Sequence, residues 1–96
     1  MSNVYIIYSN TLNRFYIGAC QVKLSDRIAK HNSGYYGNES YTAQATDWKL
    51  FEHLTYETFA HAIRLERKIK SMKSRVYIEN LKKYPELREK IWKETK

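Results

Sequence analysis

The run of apolar and polar positions predicts a β-β-α-β-α-α-α succession. Val4 to Ser9 reads Val-Tyr-Ile-Ile-Tyr-Ser, β-branched and aromatic residues that fit a strand. Asn10 to Asn13 carries turn chemistry and Phe15 to Cys20 gives a second strand, so a hairpin is expected. Gly18 inside that strand points to a bend or a close backbone approach. A helix follows, with Leu24 and Ile28 placed for the core and Arg27 and His31 on a different stripe. Gly34, after Asn32-Ser33, marks its stop. Tyr35 to Asp47 is polar, Tyr-rich and without period, and reads as a loop. Trp48 to Leu54 gives a third strand. Thr58 or Glu57 opens a long helix, and Ser74 caps a shorter one carrying Tyr77, Ile78 and Leu81. Pro85 suits the first turn of a last helix with Leu87, Ile91 and Trp92 on its apolar stripe. The fold class is therefore mixed α/β (α+β). One domain is expected over residues 1–96, its core at about 3–83 and a C-terminal helix at about 85–95.

One position breaks the pattern. On the long helix, Phe59, Ala62, Ile63, Leu65, Ile69 and Met72 form a broad apolar arc, and Glu66 falls inside it. A carboxylate facing a core costs several kcal/mol unless a cation, a metal or good donors meet it. Glu66 therefore calls for a partner.

Composition and charge narrow the choice. Apolar residues make up 43% of the 96 positions, with nine Tyr, two Trp and three Phe, which describes a globular chain. Cys20 is the sole cysteine, so an internal disulfide is excluded and Cys-rich zinc patterns lack support. No apolar run approaches the roughly 20 residues of a bilayer span. No signal-peptide pattern precedes the first strand. A cytoplasmic protein with no membrane partner is the expectation. The net charge is +7, and Arg64, Arg67, Lys68, Lys70, Lys73 and Arg75 lie within twelve positions, opposed there by Glu66 alone. Such a face suits a polyanion, most often nucleic acid, or is a solvated surface.

Tyr5, Tyr16, Arg27, His31 and Glu66 then stand out together. Tyrosines on paired strands can share a face, and Arg27 and His31 project together from the next helix. The set suits phosphodiester hydrolysis. Glu66 would hold a hard divalent ion, Mg²⁺ or Mn²⁺. Arg27 would clamp the scissile phosphate. A tyrosine would act as general base if neighbouring positive charge lowers its pKa from about 10.

Asn3-Val4-Tyr5, Tyr16-Ile17-Gly18 eleven residues after Tyr5, and Asp26 to Gly34 together resemble the GIY-YIG nuclease domain. Ala62 to Lys70 resembles that family's metal-binding helix, and Lys73 to Glu79 the ending of its small stand-alone bacterial members. The resemblance runs from about Val4 to Leu81. It implies a three-stranded antiparallel sheet flanked by helices. It also implies Tyr5 as the base that activates water, Tyr16 as an organiser of the site and Arg27 as the phosphate-binding arginine. His31 would bond the tyrosine or the phosphate, and Glu66 would be the single metal ligand. The chain departs from the family at Asn-Val-Tyr, which lacks glycine, and at Thr42 to Asp47, where a Lys- and Gly-rich stretch is common. Asn80 is a weak match to the family's late Asn.

Two functions follow. One is a metal-dependent DNA endonuclease, selective for DNA structure or strandedness rather than sequence. The other is a non-catalytic nucleic-acid-binding module of the same fold. DNA is the expected partner, with no small-molecule cofactor and a monomer as the default state. Tyr35, Tyr36 and Tyr41 either stack on bases or sit in a solvated loop. Glu66 could instead be a structural ion pair with Arg27. His53 and His61 are expected at the surface or an edge, and Cys20 as a small buried side chain.

Overall fold

The computed structural model describes residues 3–35, 37 and 41–96. Three strands, β1 (Asn3–Ser9), β2 (Arg14–Cys20) and β3 (Lys49–Thr55), form an antiparallel sheet in the order β2-β1-β3. The central place of β1 explains its unbroken apolar run, because a strand buried on both faces has no need to alternate. Val4 and Ile6 point to one face, where they pack with Ile17, Leu54, Tyr56, Ala62, Leu65, Ile69, Ile78, Leu81 and Ile91. Tyr5 and Ile7 point to the other, with Cys20, Ala45 and Trp48.

The helices are α1 (Leu24–Ser33), α2 (Phe59–Ser71), α3 (Arg75–Lys83) and α4 (Pro85–Thr95). Local chemistry sets their ends. Gly34 closes α1 at φ 73°, a left-handed conformation that glycine adopts freely. Thr58 and Ser74 cap α2 and α3 by accepting from the backbone N–H of His61 and of Tyr77. Pro85 sits in the first turn of α4. No helix among the described residues is long and apolar enough to cross a membrane.

Several expectations need correction. The third strand runs from Lys49 to Thr55, one residue later than its pattern suggests. The Asn32 side chain explains the shift: it accepts from the Trp48 N–H and donates to the Trp48 carbonyl, so that peptide is tied to α1. The stretch read as a patternless loop contains a short 3-10 helix, Tyr41–Gln44, and buries Thr42 and Ala45. Tyr36 lies outside the described residues. Phe59 and Met72 leave the apolar arc of α2 and are 58% and 41% exposed, because both sit at ends of the helix beyond its packed middle.

His61 is buried rather than at a surface or edge. Its Nδ1 accepts from the Glu57 N–H at 3.2 Å. The ring proton therefore sits on Nε2, which faces the Trp92 carbonyl at 3.0 Å and Thr95 Oγ1 at 3.2 Å. Arg64 donates to the carbonyls of Thr95 at 2.6 Å and Lys96 at 2.8 Å. Two side chains of α2 thus satisfy the end of α4, and Ile91 completes the core. His61→Ala is expected to cost about 2–4 kcal/mol by stranding these buried groups. Urea unfolding measures it, and an unchanged unfolding free energy would contradict this account of α4.

Candidate active site

The register of the hairpin places the first two residues of the site. Tyr5 pairs with Gly18, and Tyr16 pairs with Ile7, so both phenol rings leave the sheet on the α1 side. Gly18 is required there: a Cβ on it would lie 2.5 Å from Tyr5 Oη and 2.6 Å from Cζ. The ring of Tyr5 lies across the bare backbone of β2.

Helix α1 supplies the next two, since Arg27 and His31 are one turn apart. His31 is buried, and its Nε2 is 2.7 Å from Tyr5 Oη. Its Nδ1 is 2.8 Å from Thr42 Oγ1. Thr42 is held in turn, because its carbonyl accepts from Trp48 Nε1 at 2.8 Å. The result is a chain from Trp48 through Thr42 and His31 to Tyr5. Burial first, and the Arg27 cation second, hold the His31 pKa below its ordinary 6.5, so the ring is neutral at neutral pH.

Glu66 comes from the other side of the sheet. On α2 it lies about 40° around the helix from Ala62 and about 40° from Lys70. It therefore sits at the rim of the buried arc, not inside it, with its side chain 26% exposed. Its partner is Lys70, whose Nζ is 2.6 Å from Oε1, in place of the Arg27 pairing entertained from the sequence. Because β2 is an edge strand, Glu66 reaches the cavity alongside Gly18 and Ala19.

Tyr5, Tyr16, Arg27, His31 and Glu66 all line one cavity of about 440 Å³, joined by Gly18, Ala19, Tyr41 and Thr42. Tyr41 stacks on Tyr16 at 6.1 Å between centroids and 19° between planes. Glu66 is the only carboxylate among these lining residues. Among the described residues no group of three or more His, Cys, Asp or Glu could hold a metal ion. The oxygen donors present still fit a hard divalent ion, which is commonly held by one or two carboxylates, substrate phosphate and water. His31 has both ring nitrogens engaged and is no ligand in this geometry.

The family model of the GIY-YIG catalytic domain matches residues 1–84. The chain belongs to the GIY-YIG family. Neither the curated proteins nor the solved structures compared with it give a match. The three-stranded antiparallel sheet with four helices is consistent with the GIY-YIG fold. Membership supports nuclease activity on DNA in general, and GIY-YIG nucleases generally use divalent metals.

The six basic residues read from the sequence of this GIY-YIG domain do not form one face. Arg64 serves the end of α4, and Lys68 lies near Tyr77 and Leu87 between α3 and α4. Arg67 is exposed. Lys70, Lys73 and Arg75 gather beside the candidate site. Arg75 donates to the Asn13 carbonyl at 3.2 Å and to Asn13 Oδ1 at 2.8 Å, and lies over the Phe15 ring.

Thr42 and Trp48 carry no role in the sequence reading, yet both support His31. Nothing local marks Thr42, and Trp48 reads only as the start of a strand. Their partners are distant in sequence.

Two outcomes follow. Gly18→Ala should push the Tyr5 ring from its place and cost about 1–3 kcal/mol of stability; equal unfolding curves would refute the close crossing. For His31, the unfolded chain takes up a proton near pH 6.5 while the folded chain resists it. Stability therefore falls as pH drops through and below 6.5, and is unaffected above it. His31→Gln should flatten that part of the profile in denaturant titrations between pH 5 and 8.

Proposed function

We propose that this chain is a metal-dependent endonuclease that hydrolyses phosphodiester bonds in DNA and selects DNA structure or strandedness rather than sequence. The observation that carries the reading is the convergence of Tyr5, Tyr16, Arg27, His31 and Glu66 on one cavity, with the Tyr5 phenol bonded to a neutral histidine.

The roles follow from chemistry. With the Nδ1 proton donated to Thr42 Oγ1, His31 Nε2 is an acceptor for the Tyr5 hydroxyl proton. Tyr5 oxygen then takes a proton from the attacking water as its own moves toward His31. A low His31 pKa keeps Nε2 open for that transfer at neutral pH. Arg27 binds the scissile phosphate by charge-assisted hydrogen bonds and offsets the charge that develops on it. Tyr16, fixed between Tyr41 and His31, holds the wall of the site. Glu66 would hold the divalent ion, Mg²⁺ or Mn²⁺, which when bound would supply Lewis-acid stabilisation of the phosphate.

The second reading is a non-catalytic nucleic-acid-binding module. The observation in its favour is the Lys70 ammonium on the one carboxylate of the cavity. A cleavage panel on single-stranded, duplex and branched DNA, with Mg²⁺ or Mn²⁺ and with EDTA, separates the two. The proposal expects metal-dependent cleavage by the parent. Glu66→Gln and Arg27→Ala should each lower it at least about a hundredfold while circular dichroism stays unchanged. A parent that cuts none of these DNAs would leave the binding module standing.

A further inference from the structure

A second cavity, about 390 Å³, adjoins the first. Arg14 and Phe15 at the start of β2, Lys70 on α2, Lys73 in the turn to α3 and Arg75 at the start of α3 line it. Tyr41 belongs to the walls of both cavities. The Lys70–Glu66 pair spans the same boundary, since Lys70 lines one cavity and Glu66 the other. The two cavities therefore meet at Tyr41 and at the Glu66–Lys70 pair.

Its chemistry is one-sided. Four cations line this second part, and no acidic residue is among its lining residues. None of the ion pairs among the described residues involves Arg14 or Lys73. Lys73 also adopts φ 46°, a left-handed conformation that costs a side-chain-bearing residue about 1–2 kcal/mol. Asparagine or glycine would take that turn position more readily. Tyr41 adds an aromatic surface that is 39% exposed. Cations that follow a backbone, next to an aromatic face for a base, are the features of a single-strand groove. In a duplex the base faces are stacked on one another and cannot meet Tyr41.

We infer that this groove holds a single-stranded segment of the DNA beside the scissile phosphate, with phosphates on Arg14 and Lys73 and a base on Tyr41. The inference rests on the nuclease reading of the adjoining cavity for the word scissile, and its test is independent of cleavage. Fluorescence anisotropy of labelled oligothymidylate and of a duplex of equal length is measured with the Glu66→Gln protein in EDTA, across a salt series.

Tighter binding of the single strand is expected. Arg14→Gln and Lys73→Asn should each weaken it and lower the salt slope by about 0.7. Lys73→Asn should do so with an equal or higher melting temperature, because asparagine suits the left-handed turn. Tyr41→Ala should lose about tenfold in affinity, and Tyr41→Phe should regain it. Parent-like affinity and slope in both Arg14→Gln and Lys73→Asn would overturn the groove. Equal or tighter binding of the duplex would overturn its strandedness. Absence of cleavage by the wild-type protein with metal, with the salt slopes behaving as expected, would sink the nuclease reading alone.

Discussion

The ring of Tyr5 lying across Gly18 is the constraint on which the candidate site depends. Tyr5 is on the central strand, so its backbone is fixed from both sides by ladder hydrogen bonds. The strand beside it must then give way, and it does so by having no side chain at Gly18. Only from that position does the phenol meet His31 of α1. His31 in turn orders Thr42, and Trp48 holds Thr42 from behind. One absent Cβ therefore sets the meeting of a strand, a helix and a connecting segment. In a buried setting each of these hydrogen bonds is stronger than in water, and each unmade one is more costly.

The charges follow a different logic. A net charge of +7 describes the far field of the molecule, which steers a polyanion toward it. It does not describe how many donors such a ligand can use. Arg64 bonds the last carbonyls of α4, and Arg75 bonds Asn13 and lies over Phe15, so both link elements of the fold. Arg14, outside the dense basic run of the sequence, joins Lys70 and Lys73 in the cleft because β2 lies next to the α2–α3 turn.

What was legible in the sequence was mostly local. Gly34, Thr58, Ser74 and Pro85 act within one helical turn of themselves, and each takes the place its chemistry implied. The sequence led to Tyr5, Tyr16, Arg27, His31 and Glu66, five of the nine residues that line the first cavity, even though α2 packs on the opposite face of the sheet. Long-range pairings were hidden. Asn32 reads as part of a helix stop, yet its amide pairs with the peptide of Trp48 and moves the start of β3. Thr42 is an unmarked polar residue until the fold brings it to His31. His61 has no ligand-like spacing, and the partners of its Nε2 lie on α4.

Glu66 shows where periodicity alone overreaches. A helical wheel treats the apolar arc as one environment, but the sheet beneath α2 ends at β2. Ala62, Leu65 and Ile69 pack onto it, while Glu66, one step around, passes the edge into the cavity. Lys70 meets it there with the favourable polarity, glutamate ahead of lysine by four residues. A helical pair of that kind is worth about 0.3–0.5 kcal/mol where solvent reaches it. That suffices to orient the carboxylate and is too little to resist the divalent ion and phosphate proposed for this site. The same ammonium also borders the second cavity, beside Lys73 and Arg75, so the pair stands between the two parts of the site.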